Sequence, residues 1–370
     1  MSGWEHSSTK WNLSCAVRVP GGVNCKGNAY GFGFDIKRTV LNFRAKFAVS
    51  PSYGKSEMND KYQNIYENKT WPELADCTLC PRECHIDRNA GNIGYCGQTA
   101  RLMAARAALH FWEEPCLSGT NGSGAVFFSG CSLRCVYCQN HEIAQGDSGK
   151  EITVSRLSDI FLELQEKQAH NINLVTPTHF IPQIISALET AKRQGLSIPV
   201  VYNTSAYEKA DTLKRLEGLI DIYLPDLKYY DSALSTRYSH APDYFKTASL
   251  AIAEMVRQTG SPVFTAGEDS LMQKGVIVRH LLLPGCGKDS RQILRYLHET
   301  YKNDIYVSIM NQYTPLSQVR EIPALNRRVS KRSYDRIVDY ALSLGIEQAF
   351  IQEGAAASES FIPAFDYEGL

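Results

Sequence analysis

The stretch "AVFFSGCSLRCVYCQN" (residues 125–140) joins a short apolar run to a loop that holds three cysteines. Their spacing is C-x3-C-x2-C, at Cys131, Cys135 and Cys138, with no fourth cysteine close behind. Structural zinc sites take four ligands, and ferredoxin motifs carry a fourth nearby cysteine. Three thiolates on a [4Fe–4S] cluster leave one iron open to an outside ligand. The loop therefore predicts a cluster of this kind.

The open iron determines the predicted chemistry. The amino and carboxylate groups of S-adenosylmethionine (SAM) can chelate it, and one electron passed through the cluster can then split a carbon–sulfur bond. The products are methionine and a 5′-deoxyadenosyl radical. One alternative is an electron-transfer cluster with a fourth thiolate from Cys116 or Cys96. Another is three cysteines packed as small hydrophobic residues, which is disfavoured because clustered thiols in a loop do not resemble a core.

Composition excludes several classes of protein. The 370 residues carry equal numbers of acidic and basic side chains, 39 of each, so neither nucleic acid nor an acidic membrane is an expected partner. No stretch of 18 apolar residues occurs, and the N-terminus lacks the apolar run of a signal peptide. Eight of the eleven cysteines fall between residues 77 and 138, which indicates metal binding in a reducing compartment. We expect a soluble, cytoplasmic protein.

The chain divides into three predicted parts. Residues 1–70 are read as a poorly ordered extension, because they lack periodicity. Eight Lys or Arg against two acids up to residue 55 leave an organelle-targeting segment as the alternative. Residues 71–115 form a cysteine-rich, metal-binding segment, and residues 116–370 form the main domain with a C-terminal tail.

From residue 125 onward, apolar runs alternate with helical patterns. Helices are predicted over 156–168, with Ser155 as N-cap, over 181–194 and over 334–344. Alternating strands and helices indicate an α/β fold with a parallel sheet, either doubly wound or curled into a full or partial barrel. The predicted strands are 125–129, 171–175, 198–202, 221–225, 276–283, 305–310 and 348–351.

Both architectures bind ligands at the carboxyl ends of the strands. The three-cysteine loop follows the first of these strands directly. Asp226 and Lys228 follow the fourth strand, where they can bind polar parts of a cofactor or form a local ion pair. Arg279 lies in the next strand, and an arginine pointing into a barrel needs an anion.

A second group of cysteines lies upstream, spaced C-x2-C-x3-C-x11-C. Four thiolates in this arrangement suit either a structural zinc or an auxiliary iron–sulfur cluster. Reduced free thiols are the remaining alternative. We predict a second metal site, with its metal left open, at Cys77, Cys80, Cys84 and Cys96.

The three-cysteine motif, with an aromatic residue before its last cysteine, resembles the signature of the radical SAM superfamily. Within it, the chain looks most like the activating enzymes of glycyl-radical enzymes, and still more like relatives described as pyruvate formate-lyase activating enzyme-like. The resemblance runs from about residue 75 to 365. It is carried by "CTLCPREC" (77–84), "ARAALHFWEEPCLSGTNGSGAVFFSGCSLRCVYCQNHEIAQ" (105–145), "PDLKYYD" (225–231) and "VRHLLLPG" (278–285).

The resemblance implies a partial (β/α)6 TIM-type barrel with the cluster and SAM at its top. It implies that Tyr137 lies against adenine and that Asp226 and Lys228 match an Asp-x-Lys motif. It also implies that Arg279 approaches the cofactor. The expected activity is that of a radical SAM oxidoreductase, reduced by a flavodoxin- or ferredoxin-type electron donor.

Two departures concern the binding of SAM. The activating enzymes carry Gly-Gly-Glu after the second strand, whereas this chain reads "VTPTHFIPQ" (175–183). The Thr178 hydroxyl and nearby carbonyls are the predicted replacements. After the third strand an expected Asp-Thr is replaced by Asn203 and Thr204, which puts a monovalent cation site in doubt; Asn203 can still hydrogen-bond the cofactor.

The resemblance suggests that the radical abstracts hydrogen from a glycine of a partner protein. The departures make a small molecule or a peptide nearly equal as a substrate. The alternative from another class is a non-catalytic electron carrier or metal scaffold. Polar residues at successive strand ends favour an enzyme, because a carrier does not need them.

Overall fold

The computed structural model describes residues 70–266, 270–352 and 363–370. Apart from Thr70, the predicted extension lies outside the described residues. Among the described residues, ten strands form one sheet in the order β10-β9-β8-β6-β5-β4-β2-β1-β3, with β7 paired to β8. The strands are β1 (Met103–His110), β2 (Ser123–Phe128), β3 (Lys150–Glu151), β4 (Ile172–Val175), β5 (Val200–Thr204), β6 (Ile222–Pro225), β7 (Val263–Phe264), β8 (Met272–Leu281), β9 (Tyr306–Met310) and β10 (Ala349–Ile351).

Seven strands, from β2 across to β10, run parallel, whereas β1 is antiparallel to β2. The described helices are α1 (Pro72–Ala75), α2 (Pro115–Ser118), α3 (His141–Ala144), α4 (Val154–Glu166), α5 (Ile181–Arg193), α6 (Ala210–Lys214), α7 (Ser232–Ser239), α8 (Tyr244–Thr259), α9 (Gly287–Tyr301) and α10 (Lys331–Leu344). Six strand–helix units therefore run from β2 to α10, and β10 follows as a further parallel strand. The predicted α/β class with an open, mostly parallel sheet, as in a partial barrel, is confirmed.

The helices bury the apolar faces that the sequence predicts. Leu157, Ile160, Phe161 and Leu164 of α4 are almost fully buried in the main core between the helices and the sheet. Helix α4 begins earlier than predicted, because the Thr153 hydroxyl, rather than Ser155, accepts the N–H of Arg156 at 3.0 Å. Helix α5 ends before Gly195, which adopts a φ of +106°.

The inner face of the sheet packs around α2, which lies in the connection between β1 and β2. Cys116 and Leu117 of this short helix form a separate apolar cluster with Val201, Ile222 and Ile277 of three parallel strands. The connection thus closes the barrel near the amino ends of its strands. The interior remains open toward their carboxyl ends.

The cysteine-rich segment is attached to the barrel through Arg88. This side chain is 1 % exposed, and its guanidinium donates to the carbonyls of Gln98 at 3.2 Å, Thr99 at 2.7 Å and His179 at 2.8 Å. Gln98 and Thr99 lie in the segment, whereas His179 follows β4. One buried cation therefore joins the segment to the barrel.

None of the helices in the described ranges combines the length and apolarity that crossing a bilayer requires.

Replacing Arg88 with Met should lower the free energy of unfolding by about 3–5 kcal/mol, because three buried carbonyl oxygens lose their donor. Chemical denaturation monitored by circular dichroism measures the loss. The control is Arg101→Met, which removes an exposed ion pair to Glu151 and should cost less than about 1 kcal/mol. Similar losses in both variants would contradict the role assigned to Arg88.

Candidate cofactor and metal site

A cavity with about 1300 Å³ of space free of protein atoms opens at the carboxyl ends of the parallel strands. Three thiols come from the loop after β2, and polar side chains come from the ends of β5, β6 and β8. Apolar side chains, among them Phe127, Val175 and Met310, also line the cavity. The lining residues that carry the chemistry are Cys131, Cys135, Cys138, Tyr137, Asn203, Asp226, Lys228, Arg279, Glu113 and Glu114.

The three thiols have surroundings that suit cluster ligands. The Ser239 hydroxyl donates to Sγ of Cys135 at 3.0 Å, and the Leu133 N–H donates to Sγ of Cys131 at 3.4 Å. Hydrogen bonds to sulfur are one of the means by which proteins tune iron–sulfur clusters. Burial raises the pKa of the Cys138 thiol to about 12, so that a thiolate there needs a bound cation. Within the described ranges no fourth cysteine lines the cavity, which fits a cluster with one open iron.

Among the described residues, no three Cys, His, Asp or Glu side chains converge closely enough to hold a single metal ion. A [4Fe–4S] cube bonds each thiolate to a different iron, so its ligands stand farther apart than those of one ion. Cys131, Cys135 and Cys138 line one cavity together, as the ligands of such a cube would. A single zinc at the upstream cysteines would require their side chains to rotate inward.

Arg279 connects the polar groups of the cavity. Its guanidinium donates to Oδ1 of Asp226 at 2.8 Å, to Oε2 of Glu113 at 3.1 Å and to Oδ1 of Asn203 at 2.6 Å. The other carboxylate oxygen of Asp226 accepts from Nζ of Lys228 at 2.6 Å. The structure thus brings Asn203, Asp226, Lys228 and Arg279 together, as expected from their positions at successive strand ends.

The ion pairs keep these partly buried groups charged. Burial alone would raise the pKa of Asp226, but Arg279 and Lys228 outweigh it and hold that pKa below its ordinary value. Burial would lower the pKa of Lys228, yet Asp226 and the Cys135 thiol raise it above its ordinary value. The cavity therefore contains fixed charges of both signs at neutral pH.

Tyr137 lies in the cavity wall, 6 % exposed. Its hydroxyl accepts a hydrogen bond from the Tyr229 hydroxyl at 2.8 Å, and its ring makes edge contacts with Tyr229 and Tyr313. The ring is thus held in a fixed orientation within the cavity. Its contact with adenine stays a prediction.

Thr178 is not among the residues that line the cavity. Its hydroxyl is buried and donates to Oε1 of Glu208 at 2.6 Å, and the Thr204 hydroxyl donates to the same oxygen. Burial raises the pKa of Glu208 to about 7. The hydroxyl proposed to replace the Gly-Gly-Glu motif therefore binds a carboxylate of the protein, whereas Thr176, two residues earlier, reaches the cavity.

Sequence reasoning missed the two glutamates of the cavity. Glu113 and Glu114 belong to "HFWEEPC" (110–116), which was quoted for its resemblance but given no role. They precede α2, and no strand pattern marks this connection. A pair of adjacent acids directly before a proline was the available signal.

The four upstream cysteines also lie near one another. Cys77, Cys80 and Cys96 are buried, and Cys84 is partly exposed. Burial, together with smaller contributions from the neighbouring Cys96 and Cys84, raises the pKa of Cys80 to about 12. The Tyr95 N–H donates to Sγ of Cys84 at 3.3 Å. Their proximity and buried sulfur atoms fit a second metal site.

The two cysteine groups meet at Gly130. The N–H of Cys131 donates to the carbonyl of Cys96 at 3.1 Å, which joins the two loops directly. Gly130 has a φ of +87°, and a Cβ there would lie 2.5 Å from that same carbonyl oxygen. Only glycine permits both the backbone conformation and the close approach.

Replacing Gly130 with Ala should lower the free energy of unfolding by about 1–3 kcal/mol and reduce the iron bound on reconstitution, because the loops must separate. Denaturation curves and iron analysis measure the two effects. Gly218→Ala is a matched control, since Gly218 has a φ of +80° with no atom within 4 Å of the added Cβ. Equal loss of stability and iron in both variants would show that strain alone, and not contact between the loops, is responsible.

An open parallel barrel with three thiols and a polar, charged cavity at its carboxyl end defines the class of protein as a cofactor-dependent α/β enzyme. Residues 125–285 match the family model described as the radical SAM superfamily. The chain therefore carries a radical SAM domain over these residues. The family implies a [4Fe–4S] cluster and SAM as cofactors, together with SAM-cleaving radical chemistry.

A relative in Methanocaldococcus jannaschii, the uncharacterized protein MJ0674, is 25% identical over 292 residues, which are 75% of each chain. Among solved structures, Streptococcus suis SuiB bound to its precursor peptide SuiA is 15% identical with a TM-score of 0.41, covering 60% of this chain and 46% of its own. A domain of pyruvate-formate lyase-activating enzyme from Bacteroides vulgatus is 14% identical with a TM-score of 0.31, covering 47% of this chain and 91% of its own. The chain thus spans about half the length of SuiB.

Proposed function

We propose that this protein uses Cys131, Cys135 and Cys138 to hold a [4Fe–4S] cluster and binds SAM in the adjoining cavity. When bound and reduced, this group supplies the electron that cleaves SAM and initiates hydrogen abstraction. The observation that carries the proposal is that three thiols without a fourth share one cavity with a fixed set of charged and amide side chains.

Arg279 and Lys228 have different roles in binding the cofactor. All three nitrogen atoms of the Arg279 guanidinium already donate to protein oxygens, so its main part is to position Asp226 and Asn203. The Lys228 ammonium has three N–H donors and one hydrogen-bond partner among the described residues, Asp226. Lys228 is therefore the cation best placed to bind the SAM carboxylate.

Asn203, Asp226 and Tyr137 complete the predicted contacts. The Asn203 amide and the Asp226 carboxylate offer polar atoms to the ribose or the methionine portion, and the buried Tyr137 ring offers a flat surface for adenine. We assign Thr176 and the backbone around it, rather than Thr178, as the replacement for the Gly-Gly-Glu motif, because the Thr178 hydroxyl is bound to Glu208. Buried aromatic rings around Tyr137 help to exclude water.

The electron donor that we propose is a small flavodoxin- or ferredoxin-type protein. The substrate is either a glycine of a partner protein, as the activating-enzyme resemblance suggests, or a small molecule or peptide. The buried carboxylates at the inner end of the cavity support the second choice. We also propose that Cys77, Cys80, Cys84 and Cys96 bind zinc or an auxiliary iron–sulfur cluster.

Anaerobic reconstitution with iron and sulfide, reduction with dithionite and addition of SAM should release 5′-deoxyadenosine. Alanine at Cys131, Cys135 or Cys138 should lower the release at least 100-fold, because each position removes an iron ligand. Cys286→Ala is the control, since that thiol lies outside the cavity lining and should leave the release unchanged. A fully loaded cluster that neither cleaves SAM nor changes its spectrum on SAM addition would instead favour an electron carrier.

The same variants report on the second metal site. If Cys131→Ala, Cys135→Ala and Cys138→Ala each lose one cluster but retain iron, the upstream cysteines hold an iron–sulfur cluster. If any one of them loses all iron and retains zinc, the upstream site binds zinc. Loss of all metal from these variants would contradict a separate second site.

Lys228→Met should raise the dissociation constant for SAM about 10- to 100-fold, because a buried, charge-assisted contact to the carboxylate is lost. Equilibrium dialysis of labelled SAM against the cluster-loaded protein measures the change. Lys167→Met, at an exposed position after α4, is the matched control and should bind SAM normally. Unchanged affinity in Lys228→Met would remove Lys228 from the cofactor site.

A further inference from the structure

The interior of the barrel contains an unusual layer of polar side chains. The interiors of parallel barrels are commonly filled by bulky, branched apolar residues. Here Asn203 and Arg279 line the cavity, and Asn173 and Ser308 lie on the same inward face, two residues before the lining residues Val175 and Met310. All four side chains are largely buried, so this layer is built for polar contacts.

The floor below this layer carries two carboxylates. The connection after β1 turns under the barrel, and its helix α2 packs apolar residues against the lower parts of β5, β6 and β8. Glu113 and Glu114 immediately precede α2 and line the cavity. The carboxylates therefore lie at the inner end of the cavity whose outer end holds the three cluster cysteines.

The two carboxylates have different partners. Glu113 accepts hydrogen bonds from Asn173 at 2.9 Å, from Asn203 at 3.3 Å and from Arg279 at 3.1 Å. Glu114 is 3 % exposed, and its Oε2 atom is buried without a hydrogen-bond partner in the part of the chain that the structure describes.

One further buried acceptor nearby lacks a partner in the same described ranges, Oδ1 of Asn173, whereas the Ser308 hydroxyl interacts with the Glu114 carboxyl. The Ser308 side chain lies beside Glu114, and Asn173 is bonded to Glu113. Buried polar atoms in folded proteins usually have a protein, water or ligand partner, because an unpaired one is costly. Oε2 of Glu114 and Oδ1 of Asn173 therefore still lack a hydrogen-bond donor.

The charges of the cavity also indicate that a cationic hydrogen-bond donor is missing. Asp226 and Glu113 are matched by Lys228 and Arg279, so two negative groups meet two positive groups. Glu114 is an additional acid whose pKa is raised by burial, and among the described residues no ion pair to it is formed that would hold it in the charged form. The guanidinium of Arg279 acts on it electrostatically but gives its hydrogen bonds to other groups. A cation with N–H donors would complete this set.

We propose that the inner cavity is the substrate site and that it binds a substrate through a protonated amine or guanidine held by Glu114. Oδ1 of Asn173 accepts from a further N–H donor of the same group. Phe127, Val175 and Met310 provide an apolar wall for the carbon chain. This inference rests on the proposed function, because it places the substrate in the cavity that adjoins the predicted SAM site.

The test compares probes of one shape and different charge. Isothermal titration of the cluster-loaded protein, with SAM present and at constant ionic strength, would use n-butylammonium, n-butylguanidinium, n-butanol and butyrate. We expect both cations to bind at least tenfold more tightly than n-butanol, and butyrate to bind least. Because SAM itself is cationic, its dissociation constant is measured with and without n-butylammonium.

Glu114→Gln keeps the shape of the side chain and removes its charge. This variant should lose at least tenfold in affinity for n-butylammonium while its affinity for n-butanol changes little. Glu299→Gln, at an exposed position on α9, is the matched control and should behave like the wild-type protein. If Glu114→Gln does not fold, Glu114→Asp serves instead; it should bind the amine more weakly yet keep the preference for cations.

Two results would overturn the inference. Equal binding of n-butylammonium and n-butanol by the wild-type protein would show that the floor does not select cations. Mutual exclusion of n-butylammonium and SAM, with weaker SAM binding in Glu114→Gln, would assign Glu114 to the cofactor. Release of 5′-deoxyadenosine is measured separately: amine binding without SAM cleavage would refute the proposed function alone, and cleavage without selective amine binding would refute this inference alone.

Discussion

The interaction on which the site depends is the set of hydrogen bonds around the Arg279 guanidinium. It joins the ends of β5 and β6 to the floor of the barrel through Asn203, Asp226 and Glu113. A guanidinium suits this task because its planar donors reach several acceptors at fixed angles. Asp226 lies between two cations, Arg279 and Lys228. The Lys228 ammonium donates one hydrogen bond to Asp226, which orients it, and its other N–H groups remain available to a ligand. The charge pattern of the whole cavity follows from this one buried cation.

The second constraint is the direct contact between the two cysteine loops. The Cys131 N–H donates a hydrogen bond to the Cys96 carbonyl. Arg88, in the same cysteine-rich segment, donates one to the carbonyl of His179, which lies after β4. The loop that is proposed to hold the cluster is therefore built against the cysteine-rich segment and does not stand alone. A metal bound at the upstream site would hold Cys96 in place and, through it, the backbone of Cys131. A metal of either kind at the proposed second site would therefore stabilise the loop that carries the three cluster cysteines.

The sequence predicted those features that depend on local patterns. Apolar runs such as "NINLV" and "IYVSIM" identified the parallel strands, because strands buried on both faces have few polar residues. Polar residues at the ends of these apolar runs stand out in the sequence. Four of them share one cavity: Asn203, Asp226, Lys228 and Arg279. Glu113 and Glu114 were missed because their connection returns beneath the barrel, which no periodicity indicates. The Thr178 hydroxyl donates to Glu208, a buried carboxylate four residues beyond Thr204, and no local sequence pattern indicates this contact.

The geometry of the floor also constrains the way in which a substrate is bound. Because helix α2 packs against the strands below the cavity, a substrate bound as proposed would enter past the cysteine loop and the strand ends and extend toward Glu113 and Glu114. A glycine has no side chain that could reach or use these carboxylates, and a loop of a partner protein would have to carry a second, cationic residue inward with it. A small molecule or a peptide side chain with a terminal nitrogen satisfies the same floor directly. The unpaired acceptors therefore favour a substrate that is held at its far end by charge, with its apolar middle portion nearest the site of radical formation.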